Sequence, residues 1–164
     1  MRRPSRHLEI AQLAQRLGDQ LLQRQAVVAT AESCTGGAIA EAITAVPGSS
    51  QWFECGYVTY ANSAKQRLLG VTTEVLDRYG AVSEQVVQQM ALGAQKAAAA
   101  DYAVAVSGIA GPDGGTKDKP VGTLWFCWAG KSTLYTERFQ LDGERLSVRE
   151  QAVKICLKQL LQQL

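Results

Sequence analysis

Hydroxyl side chains crowd one short turn of this sequence, and they are the first candidates for chemistry. Residues 30–37 read T-A-E-S-C-T-G-G and follow the apolar run 26–30, which predicts a buried strand. A serine at such a strand-to-helix turn can project its hydroxyl into a cleft, and the amides of the helix start can hold an oxyanion or a phosphate. Ser33 is therefore a candidate nucleophile. The alternative is that Ser33 and Thr35 only cap the helix.

The base that would activate such a serine cannot be a nearby histidine. The sequence has one histidine, His7, which lies on the N-terminal amphipathic segment, far in sequence from every glycine-rich turn. This position argues against a Ser-His-Asp site, a Cys-His site and a histidine-rich metal site. Cys34 is the rival nucleophile, but with no histidine to activate it we interpret it as a buried thiol. The base must therefore be a lysine, a tyrosine or a carboxylate.

Lys65 and Tyr60 supply two such groups. Residues 60–65 read Y-A-N-S-A-K, at the point where a predicted strand gives way to a helix. Burial lowers the pKa of a lysine, so Lys65 could face the serine as a neutral base. The Tyr60 hydroxyl could relay a proton or orient the lysine. The alternative is a surface lysine and a packed tyrosine, because this spacing alone is a weak signal.

A glycine-rich loop forms a third candidate segment. Residues 107–115 read S-G-I-A-G-P-D-G-G after another apolar strand. Such a loop lets main-chain amides approach an anion, although it is neither a Walker loop nor a dinucleotide fingerprint. Ser107 stands at its strand end as Ser33 does. The alternative is a mobile connection.

Two arginines and three carboxylates are the remaining candidate functional residues. Arg145 and Arg149 are four residues apart and share a helix face, where they could clamp a phosphate or form a solvated surface. Glu32, Glu54 and Asp113 are the carboxylates nearest these segments. Because they lack the spacing of a ligand cluster, we predict no metal.

The candidate segments lie between elements that alternate helix and strand. The pattern predicts helix 7–25, strand 26–30, a helix through 39–46, strand 52–60, helices 63–69 and 73–79, helix 83–99 capped by Ser83, strand 102–106 and a hairpin of 121–129 with 133–139. Asp142 is predicted to cap a last helix whose buried face carries Leu146, Val153, Leu157, Leu160 and Leu164. This alternation indicates an α/β fold, a three-layer sandwich, in which the hairpin makes the sheet mixed. Sites in such sheets gather where strands end.

Bulk composition narrows the class of protein. The 164 residues, 46% hydrophobic and 20% charged, predict a single domain spanning 1–164, with a disordered basic tail at 1–6. The net charge of +2 is too small to indicate nucleic-acid binding. No apolar run approaches the roughly 20 residues of a membrane helix, and the tail does not lead into a signal peptide. We therefore expect a cytoplasmic protein without nucleic-acid or membrane partners. Its small size is compatible with a homo-oligomer.

Several segments together, in this order, resemble one protein family. They are T-A-E-S-C-T-G-G at 30–37, P-G-S-S at 47–50, V-T-Y-A-N-S-A-K at 58–65, G-A-V-S at 80–83, S-G-I-A-G-P-D-G-G at 107–115 and K-P-V-G-T at 119–123. The sequence resembles the CinA C-terminal domain family over about residues 7–164, and within it the stand-alone nicotinamide-nucleotide amidases of the PncC type. Motifs this long and numerous do not arise together by chance.

The resemblance implies a fold and an activity. The implied fold is a three-layer α/β/α sandwich with a mixed, mostly parallel five-stranded sheet. The implied activity is hydrolysis of nicotinamide mononucleotide, the small-molecule substrate, to nicotinate mononucleotide and ammonia in pyridine-nucleotide salvage, without a cofactor. Ser33 would be the nucleophile, Lys65 and Tyr60 its activating partners, and Ser107 a hydroxyl near the catalytic centre. The substrate-binding residues would be Thr35, Gly36, Gly37, Gly108, Gly111, Arg145 and Arg149.

Two other functions are weighed against this one. CinA-type domains also occur fused in larger proteins linked to competence, so a non-catalytic nucleotide-binding or interaction domain is one alternative. The other is a serine amidase for a different small amide, such as free nicotinamide or a peptide. An intact set of Ser33, Tyr60 and Lys65 favours catalysis over binding alone.

Overall fold

Five strands form one sheet at the centre of the computed structural model, which describes residues 6–164, with the backbone alone at residue 6. They are β1 (Val28–Glu32), β2 (Phe53–Val58), β3 (Tyr102–Gly108), β4 (Thr123–Ala129) and β5 (Leu134–Gln140). Their order is β2-β1-β3-β4-β5. β1 pairs in parallel with β2 and β3, and β4 pairs antiparallel with β3 and β5, so β4 alone runs against the others. The predicted mixed, mostly parallel five-stranded sheet is confirmed.

Helices cover both faces of this sheet. They are α1 (Arg6–Gln23), α2 (Ala38–Thr44), α3 (Asn62–Leu69), α4 (Thr73–Tyr79), α5 (Glu84–Ala97) and α6 (Arg145–Gln163), with a short 3-10 turn at Ser49–Gln51 before β2. Helices α1, α2 and α6 pack together on one face, and α3, α4 and α5 pack on the other. The predicted three-layer sandwich is confirmed.

Strand β1 serves both layers, because successive side chains of a strand point to opposite faces of the sheet. Val28 belongs to the apolar cluster beneath α1, α2 and α6. Ala29 and Ala31 belong to the other cluster, which includes Met90 of α5. Ser33 follows Ala31 by two residues. The alternation therefore aims Ser33 at the layer that contains α3.

Helix α3 is held close to α5 by a glycine. A Cβ atom on Gly93 of α5 would collide with the carbonyl oxygen of Leu69, the last residue of α3. Helix α5 begins where the sequence predicts, since the Ser83 hydroxyl accepts a hydrogen bond from the Val86 amide at 3.3 Å. This packing fixes the height of α3 above the sheet, and with it the position of Lys65.

The start of α6 differs from the prediction. Glu144, not Asp142, is the N-cap residue, and its side chain makes no capping hydrogen bond. Gly143 takes a left-handed conformation with φ of 111°, which keeps residues 142–143 out of the helix. Leu146, predicted on the buried face, is 65% exposed. The buried residues of α6 begin with Val148, so helical spacing alone overestimates how far the buried face extends toward the start of the helix.

Two further expectations concern the N-terminal part of the chain. The disordered tail predicted at 1–6 lies outside the described residues, except for the backbone of Arg6, at which α1 begins. Strand β1 spans Val28–Glu32 rather than 26–30, because pairing with both neighbouring strands continues through Glu32. Within residues 6–164, none of the helices is long and apolar enough to cross a membrane.

Candidate active site

The side chains of Ser33 and Lys65 meet where β1 ends. Ser33 directly follows β1, and Lys65 lies in the first half of α3. Lys65 Nζ is 2.9 Å from Ser33 Oγ. Lys65 is 1% exposed and Ser33 8% exposed. The structure thus brings together the two residues that the sequence proposed as nucleophile and base.

Main-chain carbonyls set the direction of the lysine nitrogen. Lys65 Nζ donates to the carbonyl oxygens of Thr59 at 2.8 Å and Tyr60 at 3.1 Å. Burial lowers the pKa of Lys65 below its ordinary value, because the ammonium loses hydration there. When Lys65 is neutral, its two N–H groups donate to these two carbonyls. The lone pair of its nitrogen then faces Ser33 Oγ. That arrangement can take a proton from the hydroxyl.

Glu32 holds the turn that carries Ser33. Its carboxylate is buried and accepts hydrogen bonds from the Thr35 hydroxyl at 2.6 Å, the Ile39 amide at 2.8 Å and the Ala40 amide at 3.1 Å. The first-turn amides of α2 are therefore used by the protein's own carboxylate and are closed to a substrate anion. Sequence reasoning noted Glu32 only as a nearby acid. An acidic residue just ahead of a helix start is the signal that could have found this role.

The amides of the Ser33 turn differ in their use. The Gly36 amide donates to the Ser33 carbonyl at 3.1 Å, and Gly37 is the N-cap of α2 with φ of 100°. Among the described residues, no main-chain oxygen accepts a hydrogen bond from the amides of Cys34 and Thr35. An amide that directly follows a nucleophile is well placed to donate to an oxyanion formed on it. Substrate-binding roles for Thr35, Gly36 and Gly37 stay predictions.

Three hydroxyl residues end neighbouring parallel strands side by side. The Ser33 amide donates to the Val106 carbonyl at 3.1 Å, and the Thr59 amide donates to the Glu32 carbonyl at 2.9 Å. These bonds extend the β1–β3 and β1–β2 ladders by one residue, so Thr59, Ser33 and Ser107 lie in one row. We call these three residues the hydroxyl row. Its members are 0%, 8% and 1% exposed, in that order. Sequence reasoning identified Ser33 and Ser107 but missed Thr59.

Tyr60 contacts Lys65 through its carbonyl, and its hydroxyl points elsewhere. The Tyr60 hydroxyl accepts a hydrogen bond from Arg145 at 2.9 Å, and the ring is 58% exposed. Arg145 also donates to the Gly111 carbonyl at 2.8 Å. Among the described residues Arg145 has no carboxylate partner, so its charge is free to attract an anion. The proton relay through the Tyr60 hydroxyl has no support from these contacts.

Arg149 supports the turn through the turn's own main-chain carbonyls. It donates to the Cys34 carbonyl at 3.1 Å and to the Thr35 carbonyl at 3.0 Å. Gly36 has φ of 60°, and a Cβ atom there would lie 3.2 Å from the Arg149 guanidinium. Glycine is needed at that position for both reasons. Arg149 therefore acts here on the protein's main chain.

The glycine-rich loop is anchored by packing. A Cβ atom on Gly108 would collide with Leu124, and one on Gly111 would lie 2.6 Å from Val121. The Ile109 amide donates to the Thr123 carbonyl at 2.9 Å. These contacts hold the Gly111 carbonyl toward Arg145. A direct role of Gly108 and Gly111 in binding substrate stays a prediction.

The rival nucleophile is disfavoured. Burial raises the pKa of the Cys34 thiol to about 11, so the thiol stays protonated at neutral pH. Within residues 6–164, no group of three or more histidine, cysteine or acidic side chains is arranged to hold a metal ion. The chemistry that the described side chains can perform is therefore attack by an oxygen nucleophile with an amine base.

The known proteins that this chain resembles in sequence and in structure point to one family. The sequence model of the CinA C-terminal domain matches residues 10–164. A nicotinamide-nucleotide amidohydrolase PncC of Pseudomonas putida is 58% identical over 153 residues, covering 93% of this chain and 96% of that protein. One of the same name from Escherichia coli K12 is 54% identical and covers 94% of each chain. A solved structure of an Escherichia coli competence-damaged protein (CinA) superfamily member superposes with a TM-score of 0.93 at 38% identity, covering 100% of this chain and 95% of that one.

Proposed function

This chain belongs to the CinA C-terminal domain family, and from its relatives and its site we infer that it is a nicotinamide-nucleotide amidase. It hydrolyses the carboxamide of nicotinamide mononucleotide to nicotinate mononucleotide and ammonia. The single observation that carries the chemistry is the 2.9 Å contact between Lys65 Nζ and Ser33 Oγ in a buried setting. The reaction belongs to pyridine-nucleotide salvage in the cytoplasm, where a charged nucleotide substrate is retained.

Acylation begins with proton transfer within this pair. Neutral Lys65 takes the proton of Ser33, and Ser33 Oγ attacks the carboxamide carbon of the substrate. The carbonyls of Thr59 and Tyr60 hold Lys65 Nζ so that it faces Ser33 Oγ. The tetrahedral intermediate collapses when Lys65 gives its proton to the amide nitrogen. The C–N bond then breaks, and ammonia leaves an acyl ester on Ser33.

The oxyanion of that intermediate needs donors close to Ser33. The amides of Cys34 and Thr35 are the best placed, because they follow the nucleophile and donate to no main-chain oxygen in the described part of the chain. One donor of this kind contributes about 10²–10³-fold in rate in well-studied hydrolases. Glu32 and Arg149 both bond to this turn and keep the amides in position.

Water completes the cycle. Lys65 takes a proton from the attacking water, the new C–O bond forms, and the ester bond to Ser33 Oγ breaks. The serine oxygen recovers its proton from Lys65, and nicotinate mononucleotide is released. Ser107, the neighbour of Ser33 in the hydroxyl row, can hydrogen-bond the reacting group during either half of the reaction.

The substrate phosphate binds near Arg145 rather than at the start of α2. Glu32 already occupies the first-turn amides of that helix. Arg145 is exposed, and its donors rest on two neutral oxygens, those of Tyr60 and Gly111. A phosphate can displace or supplement these contacts and gain a charge-assisted pair.

The deciding experiment measures ammonia release from nicotinamide mononucleotide by the purified protein, with and without a chelator. The wild-type protein is expected to release ammonia in both conditions. Ser33→Ala and Lys65→Met are expected to lose at least about 10³-fold in kcat, because nucleophile or base is gone. Lys158→Met, at an exposed position on α6, is the matched control and should keep wild-type activity.

Other results of this experiment would favour the alternative functions or the absence of an acyl-enzyme. A protein that binds the nucleotide with no ammonia release would be a nucleotide-binding module. Faster release from free nicotinamide than from the nucleotide would indicate a different amide substrate. Near-normal turnover by Ser33→Ala would eliminate the acyl-enzyme route.

A further inference from the structure

Thr59 differs from Ser33, its neighbour in the hydroxyl row, in its hydrogen bonding. Ser33 Oγ contacts Lys65 Nζ, but Thr59 Oγ1 is fully buried and has no hydrogen-bond partner among the described residues. A buried hydroxyl without a partner destabilises a fold. A valine has the same shape and would avoid that cost. Among the described residues, no contact of the resting structure accounts for this hydroxyl.

The register places this hydroxyl beside the reacting groups. Ala31 pairs with Tyr57, and the hydrogen bond from the Thr59 amide to the Glu32 carbonyl sets Thr59 beside Ser33. Tyr57 packs in the cluster that contains Ala31, so two residues later Thr59 and Ser33 share that face of the sheet. Adjacent strands are about 4.8 Å apart. The Thr59 carbonyl already binds Lys65 Nζ at 2.8 Å, so the residue and the base are in direct contact.

The reaction creates a need for one more acceptor near Lys65. Resting Lys65 has three partners: two carbonyls and Ser33 Oγ. During acylation, the leaving amide nitrogen accepts the proton that Lys65 carries. In the acyl-enzyme, Ser33 Oγ is an ester oxygen and a weaker acceptor, yet Lys65 must become an ammonium again when it deprotonates water. Its third N–H then lacks a good partner.

We propose that Thr59 is a positioning residue for deacylation, whose hydroxyl accepts the third N–H of the Lys65 ammonium while Ser33 carries the acyl group. This inference rests on the proposed amidase function. The contact holds Lys65 beside the ester between two proton movements, the uptake from water and the return to Ser33 Oγ. It forms only once Lys65 has taken the proton from water, while Ser33 still carries the acyl group, which explains why the hydroxyl is unpartnered in the resting protein.

Thr30, on the same sheet, offers a matched control variant. Thr30 Oγ1 is also fully buried and unpartnered among the described residues. Thr30 lies on β1 three residues before Ser33, and the alternation aims it at the opposite face, where its hydroxyl lies close to Gly56. Thr30→Val and Thr59→Val therefore remove the same group from the same sheet. The reacting groups lie on the face of Thr59 alone.

The test compares wild type, Thr59→Val, Thr59→Ser and Thr30→Val in rapid-mixing assays with nicotinamide mononucleotide. Ammonia reports acylation, and nicotinate mononucleotide reports deacylation. Thr59→Val is expected to show a burst of one ammonia per site, then a steady rate on the order of tenfold below wild type. Intact mass should show the nicotinate-nucleotide ester on Ser33. Thr59→Ser and Thr30→Val should behave as wild type.

Stability separates positioning from a structural role. Both valine variants should melt at or above the wild-type temperature, because each replaces an unpartnered buried hydroxyl by a methyl group. If Thr59→Val does not fold, Thr59→Ala removes the same hydroxyl with less bulk. If the wild type is active and a folded Thr59→Val or Thr59→Ala variant keeps the full rate without accumulating the ester, this inference is wrong. The proposed amidase function would then still stand. A wild-type protein that releases no ammonia would refute the proposed function, and this inference with it.

Discussion

At the scale of single residues, burial decides which side chain is reactive. The same apolar surroundings that lower the pKa of Lys65 raise that of the Cys34 thiol to about 11. Both shifts favour the neutral form of the group, because charge loses hydration when buried. A neutral amine is a base, whereas a neutral thiol is a poor nucleophile. In the proposed mechanism, burial therefore favours Ser33 as the nucleophile and disfavours the neighbouring Cys34 thiol.

Lys65 should make the enzyme faster as pH rises. Only the neutral amine can accept the Ser33 proton, and burial shifts its formation to a pH below the ordinary lysine value of 10.5. The kcat/KM of the wild type is therefore expected to increase with pH and level off below 10.5, in a stopped-time ammonia assay across the alkaline range. Lys65→Arg should be inactive at every pH, because a guanidinium keeps its proton. A flat profile in the wild type would contradict this role of Lys65.

Cys34 should be dispensable for the chemistry. Its thiol is buried and protonated, and its carbonyl, not its side chain, contacts Arg149. Cys34→Ala is expected to keep kcat within about threefold and to lose about 1 kcal/mol of stability from the small cavity. Ammonia assays and thermal unfolding check the two parts. Loss of activity comparable to that of Ser33→Ala would assign the nucleophile to the thiol instead.

At the scale of elements, the end of β1 is joined to the start of α2 by hydrogen bonds that the Glu32 carboxylate accepts. A short helix of seven residues has little stability of its own, and its first amides need acceptors. The buried Glu32 carboxylate supplies them and bonds the Thr35 hydroxyl as well. The conformation of the Ser33 turn thus depends on the start of α2. Glu32, the residue before Ser33, holds that helix start in place.

Glu32→Gln should therefore lower both stability and activity. The amide of glutamine keeps one acceptor but sets an NH2 group against a main-chain N–H, so at least one donor loses its partner. The free energy of unfolding is expected to fall by about 2–4 kcal/mol in urea titration, because the lost bonds involve a charged acceptor. Glu41→Gln, on the exposed side of α2, is the control and should change it by less than about 0.5 kcal/mol. Equal stability of the two variants would exclude this function of Glu32.

The limits of sequence reasoning also appear at the scale of elements. Periodicity and turn residues predict the strands, the six helices and their layers, because these patterns depend on local spacing. They do not predict that Asp142 is outside α6, which follows from the left-handed conformation of Gly143, or that Leu146 is exposed. The site shows the same division. Ser33 and Lys65 stand out by residue type, whereas Glu32 and Thr59 act through register and main-chain contacts that only the assembled sheet defines.

At the scale of the whole molecule, α6 connects parts of the chain that are distant in sequence. It packs along α1, and at its C-terminal end the Arg24 guanidinium donates to the Leu164 carbonyl at 2.7 Å. At its other end, Arg149 and Arg145 reach the Ser33 turn, Tyr60 and the glycine-rich loop. The last helix therefore closes the three site segments together. Its two arginines do so with different partners.

The two arginines should have separable effects on catalysis. Arg145→Gln leaves the Ser33 turn intact and removes an exposed charge, so KM for nicotinamide mononucleotide should rise by about tenfold with little change in kcat. Arg149→Gln removes the donors to the carbonyls of Cys34 and Thr35, so the turn loosens and kcat should fall. Steady-state kinetics at fixed ionic strength, with thermal unfolding of both variants, distinguishes the two cases.

A substrate without the phosphate sharpens the comparison. Nicotinamide riboside lacks the group that Arg145 is inferred to bind, so Arg145→Gln and the wild type should hydrolyse it with the same kcat/KM. Arg149→Gln should be impaired on both substrates, because the oxyanion donors follow Ser33 whichever amide is bound. Equal loss by Arg145→Gln on the two substrates would mean that Arg145 acts by holding Tyr60 and Gly111 together. In that case the phosphate would have to be bound elsewhere on the surface.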